Sequence, residues 1–443
     1  MKQETLEVRM KTIAFYTLGC KVNQSDTASM EKIFRQAGYK VVEFNSKADV
    51  YLINTCVVTN MGQSKSRKII HKAVRQNPGA FIVVTGCYPQ TFPEEVKNIA
   101  GVDLIVGNQD RGNVAKLVEM AYGSNQADTI DMVRKLEAGS KFEEIDADEQ
   151  AHRTRAFLKI QEGCNQFCTY CIIPYARGPL RSRSIANITE EVNNLVAGGF
   201  KEVVLIGIHL GAYGHEDNKE VTLVNAVQAA LAVPDLVRLR LGSLESVEVD
   251  SELLALMVKD NRVCAHLHLP LQAGSDKILA SMHRPYNTEK FMDILKQVRK
   301  ILPDVAITTD IIVGFPGETD EDFAKSLQYI KQCNFSKIHI FPYSPRKGTL
   351  AASYSQQVPG KSKQDRAATL ELLSEASHIA FCQKFIGKTV CVIMENQNAA
   401  GLWEGLSPEY IRVFVQGDST LAGTKQAVII EKLYEDGVFG RLV

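Results

Sequence analysis

Short apolar runs alternate with longer amphipathic stretches over the first quarter of the chain. Between Thr12 and Gly123, four runs rich in β-branched residues have the length of strands, namely TIAFYTLG, DVYLINTC, AFIVVTGC and VDLIVGN. Apolar positions at helical spacing between them predict helices near residues 24–37 and 62–76. Strands that alternate with helices are typical of a parallel sheet covered by helices. We therefore expect an N-terminal open parallel α/β domain over residues 10–123.

A second series of strand and helix patterns follows an acidic stretch at residues 124–150, which we interpret as a linker with some local structure. Six strand candidates lie at 156–161, 202–207, 236–241, 265–270, 305–314 and 337–343. Helical patterns separate them near 187–198, 221–232, 250–259, 288–301 and 319–332. Six strand–helix units are fewer than the eight of a closed barrel of this type, so we expect a central partial (β/α)6 barrel over residues 151–380.

The pattern changes again near the end of the chain. A long helix is predicted over residues 361–385. It is followed by the β-rich runs TVCVIME, YIRVFVQG, AVIIEKLYE and VFGRLV, which Gly and Asn residues separate. Several short strands with frequent turn residues predict a small all-β barrel. The fold class is thus α/β in two successive regions, with a β-barrel at residues 381–443.

Composition excludes a disordered or fibrous chain, because 45% of the 443 residues are hydrophobic and 23% are charged. The 51 basic and 51 acidic residues cancel, so a bound polyanion must be held by a local patch. Apolar stretches such as residues 203–208 are far shorter than the roughly 20 residues that span a bilayer. Glu4 and Glu7 occupy the place where a signal peptide is apolar. We expect a cytoplasmic location and no membrane partner.

Three of the ten cysteines form a CxxxCxxC motif, at Cys164, Cys168 and Cys171. So few cysteines in a chain of this length do not form a disulfide scaffold. Three thiolates on one loop can each bind one iron of a cubane iron–sulfur cluster and leave the fourth iron open for chemistry. A zinc site with a fourth ligand from elsewhere and a set of buried structural thiols are the alternatives.

Three further cysteines follow predicted strands, in TLGC, LINTC and VTGC. They are Cys20, Cys56 and Cys87. The carboxyl ends of parallel strands line the crevice where open α/β sheets bind ligands, so these thiols can converge on a metal. Buried cysteines that act as small hydrophobic residues are the alternative. The remaining cysteines fit no ligand spacing and are predicted to be core or surface thiols, namely Cys264, Cys333, Cys382 and Cys391.

A basic segment at residues 61–77 contains no acid. Helical spacing places four of its cations on one face. These are Lys65, Lys68, Lys72 and Arg75. Such a face can bind phosphates, although an ordinary solvated helix surface is equally compatible with the pattern. Three arginines just beyond the CxxxCxxC motif are predicted to extend a positive path, namely Arg177, Arg181 and Arg183.

The charge of the C-terminal β-barrel does not indicate RNA binding. Residues 381–443 contain six basic residues against seven acids, a net charge of −1. Trp403 and Tyr410 are candidates for stacking on unpaired bases, as small barrels often arrange. Both residues are equally compatible with a hydrophobic core.

The CxxxCxxC loop, with Tyr170 before its third cysteine, resembles the motif of the radical S-adenosylmethionine (SAM) superfamily. That resemblance implies a [4Fe-4S] cluster whose open iron binds SAM, and reductive cleavage of SAM to a 5′-deoxyadenosyl radical. The segments CTYCIIPYARGPLRSR, PLQAGSDKIL, TDIIVGFPGETDEDF and FPYSPRKGT are similar to those of the methylthiotransferases. The C-terminal β-barrel resembles the TRAM domain, an RNA-binding module.

The same resemblance implies a SAM pocket at the carboxyl ends of the barrel strands. The implied residues are Tyr170, Gly207, Gly211, Arg240, Ser243, Glu245, Gln272, Ser275, Gly314 and Pro316. Ordinary structural roles are the alternative for several of them. The glycines at 207 and 211 are also compatible with simple strand ends, and the GFPGE segment with a plain turn.

The motifs GCKVNQ, INTCVVT and GCYPQ are similar to the N-terminal motifs of the methylthiotransferases. The resemblance implies that Cys20, Cys56 and Cys87 hold a second [4Fe-4S] cluster. One SAM would then supply the radical, while a second would methylate sulfur attached to the second cluster. The cysteines of both sets are thus the predicted catalytic and metal-binding residues. The implied partners are tRNA, an electron donor such as a flavodoxin or ferredoxin, and a sulfur source.

The implied function is a tRNA methylthiotransferase acting at C2 of N6-threonylcarbamoyladenosine, next to the anticodon. The C2–H bond is not acidic, so an acid/base pair cannot remove this hydrogen and a radical can. Relatives modify isopentenyladenosine in tRNA or an aspartate of a ribosomal protein. Two other classes stay open from the residues alone. They are a radical SAM enzyme with a single cluster that modifies RNA, and a non-enzymatic zinc-containing RNA-binding protein.

Overall fold

The computed structural model describes residues 11–122, 128–146, 154–217 and 220–443. The chain divides into two units. The first extends to Asp148 and includes Gly163–Asn165 and Ile172–Pro179, and the second contains the remainder. The predicted partial barrel and C-terminal β-barrel therefore lie in the same unit.

The first unit is built on a parallel sheet with the order β2-β1-β3-β4-β5-β6. Its strands are β1 (Thr12–Thr17), β2 (Lys40–Val42), β3 (Val50–Thr55), β4 (Phe81–Gly86), β5 (Leu104–Val106) and β6 (Ile130–Met132). Every residue of β3 is buried, as expected for a central strand whose two faces are both covered. The open parallel α/β fold and its four predicted strands are confirmed.

The edge strand β6 is local structure of the kind expected within the predicted linker. It lies inside residues 124–150 and pairs with β5 in parallel, from Leu104 with Ile130 to Val106 with Met132. Its three residues are too few for an apolar period to stand out among the surrounding acids. Residues 124–127 and 147–150 of the predicted linker lie outside the described residues. The predicted domain boundaries at 10, 123 and 151 lie outside them as well.

Helices cover the sheet of the first unit. They are α1 (Lys21–Gln36), α2 (Asn60–Gln76), α3 (Cys87–Thr91), α4 (Pro93–Lys97), α5 (Val114–Tyr122) and α6 (Ile173–Arg177). Helix α2 begins after Thr59, whose hydroxyl accepts a hydrogen bond from the Gly62 amide at 3.0 Å. Its buried side includes Ile70 and Ala73. The opposite side is therefore left to the polar residues.

The second unit contains six parallel strands that carry the predicted partial barrel. They are β7 (Arg155–Lys159), β10 (Glu202–Ile206), β11 (Arg238–Leu241), β12 (His266–His268), β13 (Ala306–Val313) and β14 (Lys337–Pro342). Hydrogen bonds join them in the orders β11-β10-β7 and β12-β13-β14. Parallel bridges from Leu239 to Val263 and from Ser243 to His268 connect the two sets. A short antiparallel pair, β8 (Gln161–Glu162) and β9 (Arg181–Ser182), flanks the cysteine loop.

All five helices predicted between these strands are present, with shifts of a few residues at their ends. The helices of the second unit are α7 (Ile185–Ala197), α8 (Leu223–Leu231), α9 (Ser251–Lys259), α10 (Asp276–Ser281), α11 (Thr288–Ile301), α12 (Asp320–Cys333) and α13 (Gly360–Gln383). Short 3-10 helices lie at Arg111–Asn113, Leu210–Ala212, His215–Asp217, Ser246–Glu248, Leu350–Ser353 and Ser419–Leu421. Within the described ranges, none of the helices combines the length and the apolarity needed to cross a membrane.

A closed five-stranded barrel ends the chain, in the order β15-β16-β17-β19-β18. Its strands are β15 (Thr389–Gln397), β16 (Trp403–Leu406), β17 (Arg412–Val415), β18 (Lys425–Tyr434) and β19 (Gly437–Leu442). Trp403 is 6% exposed and packs in the barrel core, so the core alternative holds for this residue. The predicted all-β barrel is confirmed and is consistent with a TRAM-like domain.

Candidate functional site

The three strand-end cysteines follow neighbouring strands of the first unit. Cys20 precedes α1, Cys56 directly follows β3, and Cys87 directly follows β4. Strands β1, β3 and β4 are adjacent in the parallel sheet, so their carboxyl ends share one edge. A Cβ atom at Gly19 would lie 3.2 Å from the Cys56 Cβ atom, so the loop that carries Cys20 approaches Cys56 closely.

Burial governs the acidity of two of these thiols. Burial raises the pKa of Cys56 to about 11, and it also raises the pKa of Cys87. The free thiols are therefore protonated at neutral pH. Metal binding by these cysteines must release their protons, because the thiolate is the ligand form.

Arg177 supplies a hydrogen-bond donor to one of the three sulfurs. Its Nε lies 3.3 Å from the Cys87 Sγ, and the Asn108 side-chain amide lies 3.7 Å from the same sulfur. A guanidinium N–H directed at sulfur stabilises a thiolate and lowers the thiol pKa against the effect of burial. The surroundings of Cys87 therefore suit a thiolate ligand.

A buried ion-pair network holds Arg177 in place. The Asp26 carboxylate accepts hydrogen bonds from Arg177 at 2.9 Å and from Arg111 at 2.6 Å. The Asn23 side chain also accepts a hydrogen bond from Arg177. Arg177 is 0% exposed, so it does not belong to a positive surface path, and the prediction for this residue is wrong. Its acidic partner lies 151 positions away in the sequence, too far for a local charge pattern to indicate.

The CxxxCxxC loop lies between β8 and β9. Its three cysteines are not disulfide-bonded, and the Cys171 amide donates a hydrogen bond to the Cys168 carbonyl at 2.9 Å, which tightens the turn. Gly163 has a φ of 83°, and a Cβ atom there would collide with the Pro179 carbonyl. Only glycine fits this position without moving the backbone.

Arg284 contacts the sulfur of the central cysteine of this loop. Its Nη1 lies 3.2 Å from the Cys168 Sγ, and its guanidinium also pairs with Glu245 and with the Tyr286 hydroxyl at 2.8 Å. The Arg284 side chain is only 2% exposed. Sequence reasoning missed this residue, because 116 positions separate it from Cys168 and its segment SMHRPY carries no spacing that points to a cluster.

Four of the residues implied for the SAM pocket lie on the cysteine loop or beyond the carboxyl ends of β11 and β12. The Glu245 carboxylate forms an ion pair with Arg284. Ser243 follows β11 and is exposed. Gln272 has a φ of 69°, and its backbone forms a parallel bridge with Ile311 of β13. Burial raises the pKa of the Tyr170 phenol well above its ordinary value, so this group stays neutral.

Packing contacts explain most of the other implied pocket residues. A Cβ atom at Gly207 would lie 2.9 Å from the Gln161 side chain, and one at Gly211 would collide with the Glu248 carboxylate. Gly314 has a φ of 70° and its amide donates to the Glu318 carboxylate at 2.6 Å, in a turn where Pro316 is buried. The Ser275 hydroxyl lies 3.4 Å from the Asp322 carboxylate. These contacts support the structural alternative for these residues.

Arg240 does not line a pocket at the strand ends, and that prediction is wrong. Its side chain is buried, pairs with Glu202 at 2.8 Å and donates to the Ser407 and Pro408 carbonyls. It also lies 4.9 Å from the ring centroid of Tyr410. Arg240 thus joins the partial barrel to the C-terminal β-barrel within the second unit.

Two further arginines predicted to face RNA are also buried. Arg181 lies 3.8 Å from the Glu162 carboxylate, and Arg183 donates to the Lys159 carbonyl at 3.0 Å. Each is 3% exposed, so neither extends a surface path. Tyr410 stacks on His266 at a centroid distance of 4.6 Å and packs against the partial barrel instead of offering an open face to a base.

The basic face of α2 is exposed. Lys65, Lys68, Lys72 and Arg75 all project from the side opposite the buried Ile70 and Ala73. The Lys72 ammonium contacts the Asn45 side chain at 2.8 Å and lies over the Phe44 ring. We refer to these four exposed cations as the α2 basic face.

Known proteins match nearly the whole chain. The profile of the radical SAM superfamily matches residues 158–330, and that of the Uncharacterized protein family UPF0004 matches residues 12–107. The threonylcarbamoyladenosine tRNA methylthiotransferase MtaB of Bacillus subtilis is 40% identical over 98% of this chain and 97% of its own length. The tRNA-2-methylthio-N(6)-dimethylallyladenosine synthase of Ehrlichia canis is 35% identical over 88% of this chain and 89% of its own length.

The chain belongs to the radical SAM tRNA methylthiotransferase family. It is an enzyme that acts on tRNA. A solved structure of the radical SAM methyltransferase TsrM from Kitasatospora setae has a TM-score of 0.56 at 15% identity, covering 77% of this chain and 75% of that chain. This likeness supports the fold alone.

Membership in the family implies SAM and a [4Fe-4S] cluster, and the donor set fits the cluster. Three cysteines without disulfide bonds lie on one loop, and a buried arginine donates to the sulfur of Cys168. Thiolates are the ordinary ligands of such clusters, and hydrogen bonds to their sulfurs set the reduction potential. The residues present are therefore compatible with a bound iron–sulfur cluster.

Proposed function

We propose that this methylthiotransferase adds a methylthio group at C2 of N6-threonylcarbamoyladenosine, next to the anticodon of tRNA. The observation that carries this choice is the 40% identity over 98% of the chain to an enzyme named for that nucleoside. The proposal places the enzyme in the cytoplasm, with an electron donor such as a flavodoxin or ferredoxin and a separate sulfur source.

Nucleoside analysis tests the choice of substrate. The iron-loaded enzyme, SAM, a reductant and sulfide are incubated with tRNA that carries either N6-threonylcarbamoyladenosine or isopentenyladenosine. We expect mass spectrometry of the digested tRNA to find the methylthio group on the first nucleoside only. The 35% identity to the Ehrlichia canis enzyme supports the second nucleoside as the competing candidate. Methylthiolation of isopentenyladenosine alone would overturn the proposal.

We further propose that the chain holds two clusters with different tasks. Cys164, Cys168 and Cys171 would hold the first, which together with bound SAM supplies a radical able to take hydrogen from an inert C–H bond. Cys20, Cys56 and Cys87 would hold the second, which supplies an iron site for sulfur. In both sets one sulfur receives a hydrogen bond from a buried arginine, namely Cys168 from Arg284 and Cys87 from Arg177.

The protein's own residues bind and orient these groups. Glu245 and Tyr286 fix the Arg284 guanidinium beside the Cys168 sulfur, while Asp26 fixes Arg177 beside Cys87. Because both guanidinium groups are buried, solvent does not screen their charge. Each arginine then favours the more negative, reduced state of the group bound by its cysteine.

Arg284→Met is expected to lower the reduction potential of the first cluster, because it removes a cation and an N–H donor from the Cys168 sulfur. We expect a shift on the order of 60 mV, which corresponds to about 1.4 kcal/mol in a one-electron couple. A redox titration followed by electron paramagnetic resonance measures it. Arg284→Lys retains the charge and should show a smaller shift.

Arg262→Met serves as the control for this measurement, since Arg262 pairs with Asp260 at 2.7 Å and donates to the Val233 and Leu231 carbonyls. The reduction potential of the first cluster in this variant should equal that of the unaltered enzyme. An unchanged potential in Arg284→Met with full iron content would reduce Arg284 to a structural partner of Glu245.

The α2 basic face is our proposed phosphate contact. Replacing Lys65, Lys68 and Lys72 with Gln should weaken tRNA binding and flatten its salt dependence by about 0.9 slope unit per lost contact. Binding isotherms at several salt concentrations measure both quantities. The matched control changes three exposed lysines of α11, which also contains acids, to Gln, namely Lys290, Lys296 and Lys300. Equal effects in the two triple variants would mean that only the overall charge matters.

A further inference from the structure

A second group of potential metal ligands lies on three adjacent strands of the partial barrel. His268 ends β12, Asp310 lies in β13, and His339 lies in β14. Asp310 pairs with His339 in the sheet register, and His268 pairs with Thr308, two residues before Asp310. Register partners and residues two apart share one face of a sheet, so the three side chains lie on the same face.

The alternation of side chains along β14 directs Ile338 to the opposite face from His339. Helix α13 packs against β14. Ile338, the residue before His339 in β14, is buried at 4% exposure. His268 and Asp310 retain 16% and 27% side-chain exposure, so an ion in solution has access to them. These three residues are separate from the six cysteines proposed as cluster ligands.

The spacing of the ligand atoms suits one cation. The donor atoms of His268, Asp310 and His339 all lie within 4.8 Å of one another. His268 Nε2 is 3.3 Å from the Asp310 Oδ1. Two donors bound to zinc at about 2.0–2.1 Å with tetrahedral angles lie roughly 3.3–3.4 Å apart. The separation between His268 and Asp310 therefore matches one edge of such a site.

Thr308 orients one of the imidazoles. Its hydroxyl lies 2.8 Å from the His268 Nδ1 and 3.2 Å from the His266 Nε2. A histidine that binds metal usually has its other ring nitrogen in a hydrogen bond, which fixes the tautomer and the ring orientation. With Nδ1 directed at Thr308, the Nε2 of His268 is the atom that faces Asp310.

We propose that His268, Asp310 and His339 bind a divalent transition-metal cation, such as Zn²⁺, inside the partial barrel. Two imidazoles and one carboxylate are a ligand set typical of this class of ion. Three protein ligands leave at least one coordination position open for an oxygen ligand. This inference does not rest on the proposed choice of nucleoside.

Zinc binding to the holoenzyme tests the inference. The anaerobic, fully iron-loaded enzyme is equilibrated with buffered Zn²⁺ and desalted, and zinc and iron are measured in the same sample by mass spectrometry. We expect one zinc per chain in addition to the cluster iron. Asp310→Asn and His339→Gln should each weaken zinc binding at least about 100-fold, and Thr308→Val about tenfold, with iron unchanged.

The iron measurement separates a lost metal site from a lost fold, because a misfolded variant would lose iron as well as zinc. His71→Gln is the control for adventitious binding, since His71 is exposed on α2. Absence of zinc from the unaltered enzyme would overturn the proposal. Equal zinc affinity in Asp310→Asn, His339→Gln and the unaltered enzyme would overturn it too, by placing the ion elsewhere.

Discussion

Cys168→Ala is expected to abolish the reductive cleavage of SAM. Cys168 is the central thiol of the loop, is 7% exposed, and is the one whose sulfur receives a hydrogen bond from Arg284 at 3.2 Å. Alanine removes a ligand of the proposed cluster and leaves the guanidinium without its sulfur acceptor. An iron without its thiolate is exposed or lost. The rate of 5′-deoxyadenosine formation with dithionite as reductant, followed by chromatography, measures the effect.

Cys264→Ala is the matched control for this variant. Cys264 is also a buried free cysteine of the second unit and fits no ligand spacing. It should retain the SAM cleavage rate and the iron content of the unaltered enzyme. Undiminished formation of 5′-deoxyadenosine by Cys168→Ala would show that the assignment of the CxxxCxxC loop is wrong.

Elements with a local pattern were predictable from the sequence. The apolar positions of β13 and the 3.6-residue period of α2 are contained within short segments, so each segment carries its own structural information. The placement of Cys56 and Cys87 directly after strands follows from the same patterns. The three-residue strand β6 was not predictable, because so short a segment has no detectable period.

Buried charge was the main failure of the sequence interpretation. A basic residue in a basic neighbourhood predicts a surface, yet Arg177 is buried, and Arg240, which the resemblance placed in the SAM pocket, is buried as well. Their acidic partners Asp26 and Glu202 lie far away in the sequence, and burial of a charge becomes tolerable only when such partners are present. Tertiary pairing, which a single sequence does not show, therefore decided where these arginines lie.

Two of the buried arginines donate hydrogen bonds to the sulfurs of the proposed cluster ligands. Arg177 was predicted to face tRNA, but it donates to the sulfur of Cys87. Arg284 had no predicted role, but it donates to the sulfur of Cys168. In a low-dielectric interior such N–H donors act strongly on a bound thiolate. Arg177, which sequence patterns placed wrongly, and Arg284, which they missed, are thus two residues that set the electrostatics around the cysteines.

Cys56→Ala should separate the two proposed clusters. Cys56 directly follows β3 and lies beside the loop of Cys20, while the CxxxCxxC loop keeps all three of its thiols. We expect loss of about half the iron, since one four-iron cluster of two depends on this residue. The variant should still cleave SAM. Its tRNA product should lack the methylthio group, because the ligands for the sulfur-bearing iron are incomplete while the radical source is intact.

Iron content, 5′-deoxyadenosine formation and mass spectrometry of tRNA nucleosides, measured on one preparation, decide this prediction. Cys391→Ala is the control, because Cys391 is an exposed thiol that fits no ligand spacing and its loss should change none of the three. Loss of SAM cleavage in Cys56→Ala would mean that the two cysteine sets do not work independently. Full methylthiolation by this variant would show that Cys20, Cys56 and Cys87 are structural thiols and that the enzyme works with a single cluster.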